Sequence, residues 1–175
     1  MSVNIQKAAL RKHLLEKRDA TSAELRDILS GKIHQNLKKI SSYTNSQNVA
    51  CYFPIGSEVN THDIMLNVLE QGKNLLLPRI VNDNLEFYIV PNLEKLEKGS
   101  FEIMEPKDSC KKAEKIDCVL IPTVGVSKSG VRLGYGKGYY DRFLSSTNAV
   151  KISLTYSKQI VKSIPSDSHD IKIDW

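Results

Sequence analysis

Gly130, Gly134, Gly136 and Gly138 crowd into one short stretch, with Arg132 and Lys137 interleaved, and they account for four of the nine glycines in the chain. Glycine tolerates positive φ and lets a ligand approach the backbone closely. Successive N–H groups in such a turn, backed by a helix N-terminus, form a concavity for anions. Arg offers a two-pronged grip on phosphate oxygens, and Lys a mobile point charge. Two familiar phosphate motifs do not fit. A Walker A loop ending at Lys137 requires Gly at 131 and Ser or Thr at 138, where the chain has Val131 and Gly138. A dinucleotide fingerprint starting at Gly134 requires Gly at 139, where the chain has Tyr139. On spacing alone the stretch reads either as a phosphate site or as a tight connection with solvated charges. Tyr139 and Tyr140 read as core aromatics or as a stacking wall for a flat ligand. No GxSxG, no evident Cys–His pairing and no obvious general base accompany them.

The elements that must hold this turn follow from hydrophobic periodicity. The first forty residues predict two helices. Ser2 can cap the first, which carries Ile5, Ala8, Ala9, Leu14 and Leu15 up to Glu16-Lys17-Arg18. Thr21 and Glu24 have capping-box spacing, ahead of a stripe of Leu25, Ile28, Leu29, Ile33, Leu37 and Ile40. Val49–Phe53 then predicts a buried strand, followed by a loop over Ile55–Asn60 and a helix capped by Thr61. Leu75–Leu77 before Pro78 and Leu85–Val90 predict further strands, and Phe101 to Met104 a short extended piece. Ile116–Val126 predicts one central strand running into the glycine turn and a helix, with a last strand at Ile152–Tyr156. Such alternation implies a single domain, residues 1–175, built on an α/β sheet covered on both faces, with ligands at the carboxyl ends of the strands.

Composition narrows the classes. At 175 residues, 41% hydrophobic and 26% charged, the chain has the size and apolar content of one globular domain. No apolar run reaches the roughly 18 residues of a membrane span, and the charged N-terminal segment lacks the apolar core of a signal peptide, so the expected address is the cytoplasm, with no membrane partner. Cys51, Cys110 and Cys118 lack CxxC spacing and read as small buried hydrophobes. The formal charge of +5 is dispersed over helices rather than gathered in a tail. It suits an enzyme for anionic small molecules better than a nucleic-acid binder.

The string RLGYGKGYYDRFL, Arg132–Leu144, resembles the signature R-L-G-x-G-K-G-Y-Y-D of the 5-formyltetrahydrofolate cyclo-ligase family, the methenyltetrahydrofolate synthetases. The resemblance extends in order through KAALR (Lys7–Arg11), FPIGSEVNT (Phe53–Thr61), LLLPRI (Leu75–Ile80), IPTVGVSKSGVRLG and HDIKID (His169–Asp174). It implies a Rossmann-like fold of the sugar-phosphate isomerase and CoA-transferase kind, with a central mostly parallel sheet and helices on both faces. It also implies conversion of 5-formyltetrahydrofolate and ATP to 5,10-methenyltetrahydrofolate, ADP and phosphate with Mg²⁺, with reduced folate and ATP as the partners; the expected state is a monomer.

Carried over by residue, the resemblance assigns ATP to Lys7, Ala8, Ala9, Leu10 and Arg11, and to Arg132, Leu133, Gly134, Tyr135, Gly136, Lys137, Gly138, Tyr139 and Tyr140. Lys7 and Arg11, four apart, share a helix face and on spacing alone read as solvated. Folate falls to Phe53 and Glu58 and to Tyr135, Gly136, Lys137, Gly138 and Tyr139. Many relatives carry Arg where this chain has Tyr135, which favours a backbone role there. Mg²⁺ falls to Asp141 and Asp170, hard oxygen ligands suited to that ion, with His169 a neighbour rather than a ligand. ATP would phosphorylate the formyl oxygen and N10 would then attack, with Arg132 and Lys137 offsetting the transferred charge. Two other classes also accommodate an anion turn: a sugar-phosphate isomerase or CoA-transferase relative, which lacks R-L-G-x-G-K-G-Y-Y-D, and a non-catalytic folate or RNA module.

Overall fold

The computed structural model describes residues 2–99, 102–166 and 171–175. Three helices come first: α1 (Val3–Asp19), α2 (Ala23–Leu37) and the short α3 (Ser41–Thr44). The sheet strands β1 (Asn48–Ala50), β2 (Asn74–Val81), β3 (Asn84–Ile89), β6 (Cys118–Pro122) and β9 (Val150–Leu154) assemble in the order β3-β2-β1-β6-β9. Pairing is parallel throughout except for the β2–β3 hairpin. The helices α4 (His62–Glu70) and α5 (Tyr139–Ser145) complete the framework.

Strand alternation divides the core between the two faces. Val49, Cys51, Leu75, Leu77, Cys118, Leu120 and Ile152 point to one face, where Leu37 of α2 and Ile64, Met65 and Val68 of α4 cover them. Ala50, Leu76, Val119 and Ile121 point to the other, covered by Leu144 of α5 with Tyr140 and Phe143. A third cluster, built on Leu14, Val124 and Leu133, docks α1 onto a small sheet of β7 (Gly125–Ser127), β8 (Arg132–Leu133) and β10 (Ile160–Val161). The hairpin-like pair β4 (Leu96–Lys98) and β5 (Met104–Pro106) lies beside β2. All three cysteines are buried and free.

Several local expectations are corrected. Ser22, not Thr21, caps α2: its Oγ accepts the Leu25 N–H at 3.3 Å, while the Thr21 hydroxyl turns back to donate to Lys17 O. The stripe is narrower than its sequence pattern, since Leu25 and Ile28 are exposed and only the Leu29, Ile33, Leu37 side meets the sheet; Ile5 of α1 is exposed too. Thr61 precedes α4, but its hydroxyl donates to Tyr52 O rather than capping the helix, and Ser2 makes no side-chain cap either. β1 stops at Ala50, and β2 runs through Pro78 instead of ending there. Leu76 O accepts from Cys51 and Leu75 O from Val90, so Pro78 turns its missing N–H toward the β1 side, beyond the end of β1. The central run is split: β6 ends at Pro122 and β7 joins the other sheet, with Gln159 Nε2 donating to the carbonyls of Thr123 and Val124 at the bend. Of the extended piece near 101–104, Phe101 lies outside the described residues, and only Met104 enters a strand.

Candidate functional site

The carboxyl ends of β1, β2 and β6 open on a cavity of about 410 Å³, a size suited to a small-molecule ligand. Phe53 and Glu58 line it from the segment after β1, Pro78 and Arg79 from β2, and the turn from Gly134 to Asp141 forms the opposite wall. Ile80, Leu85, Ile103 and Met104 make it largely apolar. The expected folate residues and most of the glycine turn therefore face one space, although up to 88 residues separate them in sequence (Phe53 to Asp141).

The turn depends on its glycines. Gly136 has φ +96°, and a Cβ there would lie 3.4 Å from the Arg11 guanidinium. Gly138 has φ +73° at the start of α5, where a Cβ would come within 2.9 Å of Arg142 Nη1. Side chains are strained at such φ values. Arg11 Nε donates to Gly134 O at 2.7 Å, and Arg142 donates to Lys137 O and to Asp83 O, so α1 and the β2–β3 hairpin clasp the turn from two sides. α5 is only seven residues long. The turn's own N–H groups and cations, not a helix end, must therefore supply any attraction for an anion. Lys137 lines the cavity, is exposed, and its ammonium makes no ion pair or hydrogen bond among the described residues.

Arg132 stands differently. Its side chain is 4% exposed, Nη2 contacts Asp141 Oδ1 at 2.7 Å, Nη1 donates to Pro122 O, and the guanidinium lies 5.8 Å from the Tyr140 ring. Nε, though buried, has no hydrogen-bond partner among the described residues. Arg132 thus fixes Asp141 on the cavity wall instead of projecting an open fork. Leu133 belongs to the third core cluster. Tyr140 packs partly into the core yet touches the cavity, and Tyr139 sits on the cavity wall with Arg142 5.2 Å from its ring.

In the N-terminal segment, Arg11 reaches the turn, Leu10 packs into the third cluster, Ala8 and Ala9 are exposed and Lys7 is half-buried; none of these lines the cavity. Asp141 presents hard oxygen to the cavity, but Asp170 and His169 lie outside the described residues. Among the described residues no three His, Cys, Asp or Glu side chains converge as a metal cluster. The donor set fits an ion that keeps several waters and binds chiefly through substrate phosphates, as Mg²⁺ does.

Glu58 is 7% exposed. Its Oε2 accepts the Ile55 N–H at 2.9 Å and its Oε1 the Tyr135 hydroxyl at 2.7 Å. Burial pushes its carboxyl above the usual range, while the Ile55 N–H, the Tyr135 hydroxyl and the Arg18 charge pull it back. The Tyr135 side chain is thus engaged with Glu58, beside the backbone role that the sequence favours. Arg18 and Arg79 escaped the sequence reading. Arg18 ends a run that reads as solvated charge, yet it is 5% exposed. Arg79, in the Pro-Arg end of LLLPRI, lines the cavity, pairs with the exposed Asp108 at 2.6 Å and lies 5.3 Å from the Tyr88 ring. No local pattern marks Arg18, because its partners Ser57 and Tyr135 are distant in sequence.

Residues 3–175 match the sequence model of the 5-formyltetrahydrofolate cyclo-ligase family. A 5-formyltetrahydrofolate cyclo-ligase of Mus musculus is 30% identical, with 99% of this chain and 94% of the mouse protein covered. One from Mycoplasma genitalium is 34% identical over 97% of this chain and 96% of that protein. Among solved structures, the 5,10-methenyltetrahydrofolate synthetase of Aquifex aeolicus superposes with a TM-score of 0.87 at 38% identity, covering 96% of this chain and 87% of that one. The Mycoplasma pneumoniae synthetase gives 0.76 at 31% identity, covering 96% and 95%. With the glycine turn, the strand-end carboxylate and the mixed α/β framework all in place, the chain belongs to the 5-formyltetrahydrofolate cyclo-ligase family.

Proposed function

We propose that this protein is an ATP- and Mg²⁺-dependent cyclo-ligase that converts 5-formyltetrahydrofolate to 5,10-methenyltetrahydrofolate with release of ADP and phosphate. The observation that carries the reading is the single cavity in which Lys137 and the Gly134–Gly138 turn face Glu58 and Phe53. A pterin presents amino and ring N–H donors along one flat edge, which an ionised Glu58 can accept. Phe53 and the apolar wall of Ile80, Leu85 and Met104 suit its ring faces. The turn's N–H groups and Lys137 suit the triphosphate, with Arg11 bracing the turn from α1.

The reaction must overcome a formamide carbonyl that is a poor electrophile with a poor leaving group. The formyl oxygen attacks the γ-phosphorus and ADP departs, leaving an iminium phosphate on N5. The N10 lone pair then adds to the formyl carbon, phosphate leaves with the oxygen, and N10 loses its proton. Each step needs positioning and charge stabilisation rather than a protein nucleophile. Lys137 offsets charge on the transferred group, Arg132 keeps Asp141 in place, and the apolar wall excludes water. Asp141, with Asp170, would hold Mg²⁺, which neutralises phosphate charge when bound.

The finer features of the reading are a single domain over residues 1–175, a Rossmann-like fold of the sugar-phosphate isomerase and CoA-transferase kind, and a cytoplasmic monomer. The parallel order β2-β1-β6-β9 with helices on both faces supports the fold assignment. No helix among the described residues is long and apolar enough to cross a membrane. Mixing the protein with 5-formyltetrahydrofolate and MgATP tests the activity. The methenyl chromophore should appear in step with ADP. Folate binding without turnover would instead indicate a non-catalytic module, and no folate binding would indicate a different phosphorylated ligand.

A further inference from the structure

We infer that Arg18, at the C-terminal end of α1, is a positioning residue for folate, acting through the Tyr135 hydroxyl to orient Glu58 and keep it an ionised acceptor. The inference rests on Glu58 being the folate acceptor, and adds to that reading a residue and a route that the motifs do not contain.

The geometry leaves one arrangement of protons. Arg18 Nη2 donates to the Tyr135 hydroxyl at 2.8 Å. A guanidinium has no acceptor, so the contact occupies a lone pair of the hydroxyl and leaves its single proton for Glu58 Oε1, 2.7 Å away. Arg18 is itself held: Nε donates to Ser57 Oγ at 2.8 Å, and the Ser57 hydroxyl is bonded to Asp19. The guanidinium also lies 5.7 Å from the Tyr135 ring centroid. Ser57 immediately precedes Glu58, so Arg18 grips both the backbone segment that carries the carboxylate and the hydroxyl that points at it. Its Nη1 is buried without a hydrogen-bond partner among the described residues. A guanidinium retained in the interior at that cost is better explained by the carboxylate it serves than by stability.

Glu58 needs this help. Three phenols crowd it, Tyr52 after β1, Tyr140 of α5 and Tyr156 after β9, which donates to Glu58 O at 3.1 Å, while Arg79, Glu105, Arg132, Lys137 and Asp141 line the same cavity. Arg26, Asp27 and His62 line a second cavity on its far side, and no described cation forms an ion pair with it. Two donors, the Ile55 N–H and the Tyr135 O–H, fill one lone pair on each carboxylate oxygen and leave the others for a ligand. Without the hydroxyl, a buried carboxylate keeps one donor and takes up a proton more readily; a protonated Glu58 then competes with the pterin's own donors.

The test compares the full-length protein with Tyr135→Phe, which keeps the ring, and with Arg18→Met. Tyr135→Phe should raise KM for 5-formyltetrahydrofolate about tenfold while kcat and KM for MgATP change less than twofold. The acid limb of kcat/KM for folate should move to higher pH, because Glu58 must be ionised and its proton would be lost later. Arg18→Met should give the same split, and the double variant should be no worse than the worse single one. Should Arg18→Met fail to fold, Tyr135→Phe decides the matter alone. Equal losses toward folate and MgATP, an unmoved acid limb, or strictly additive losses would overturn the inference while leaving the cyclo-ligase reading intact. Calorimetric titration with 5-formyltetrahydrofolate alone separates the two claims: a wild-type protein that binds it but forms no methenyl product removes only the catalytic reading, whereas equal affinity of wild type and Tyr135→Phe removes this one.

Discussion

Two carboxylates at opposite ends of the same strands have opposite surroundings. Asp117 stands just before β6, at the amino end of the sheet. Its Oδ2 accepts the N–H groups of Gln47 and Asn48 and the Asn48 amide, and its Oδ1 pairs with Lys115 at 2.9 Å. These donors, Lys115 first, hold its carboxyl down at about 2. Glu58, beyond the carboxyl end of β1, is buried with two donors and is pushed up. A carboxylate surrounded by donors ties loops and strands together, whereas one left short of donors keeps capacity for a ligand. The amino end of the sheet is built for stability and the carboxyl end for binding.

The largest effect that would sharpen this contrast is expected from Lys137→Ala. Loss of a pre-organised charge at phosphoryl transfer typically costs about 3–4 kcal/mol, a few hundred-fold in kcat/KM. Near wild-type turnover would show Lys137 to be a solvated neighbour of the site. Glu58→Gln comes next. Losing a charged acceptor is worth about 1.5–3 kcal/mol, so KM for folate should rise ten- to a hundredfold with the melting temperature unchanged or higher. An equal fall in stability would place Glu58 in the same class as Asp117. Asp141→Asn should raise the magnesium concentration needed for half-maximal rate about tenfold, and an unshifted magnesium titration would take Asp141 out of the metal site.

Asp117→Asn gives the smallest expected change, and it falls on stability alone. Loss of its charged contacts should cost about 1 kcal/mol, kept small because the carboxylate is partly solvated, with folate KM unaltered. The sign of its pH dependence follows from the depressed value. The stabilisation is present above the ordinary carboxylate range near 4 and is lost as pH falls toward about 2. Urea denaturation of wild type and Asp117→Asn should therefore differ at pH 7 and converge near pH 2. Glu58, shifted upward, works in the opposite direction: its burial penalty is present at neutral pH and relieved by acid.

How much of this was legible in the sequence depended on distance along the chain. The glycine turn was legible because backbone demands concentrate glycine locally, and Gly136 and Gly138 do adopt positive φ. The two-faced sheet was legible because Val49-Ala50-Cys51 and Leu75-Leu76-Leu77 are apolar at every position, as strands buried on both sides require. The course of β2 through Pro78 was not, since it depends on β1 ending first. Arg18 was hidden for a similar reason. Its partners, Ser57 and Tyr135, lie 39 and 117 residues away, and nothing in Glu16-Lys17-Arg18 distinguishes a buried guanidinium from a solvated one. The apolar wall of Ile80, Leu85 and Met104 likewise exists only after β2, β3 and β5 come together.

A crystal structure with a non-hydrolysable ATP analogue, magnesium and 5-formyltetrahydrofolate bears most directly on the central claim. The terminal phosphate should lie against the N–H groups of Gly134–Gly138 and the Lys137 ammonium, with the formyl oxygen facing it and the pterin edge on Glu58. Phosphates lodged instead beside Arg26 and His62, with the glycine turn bare, would contradict it.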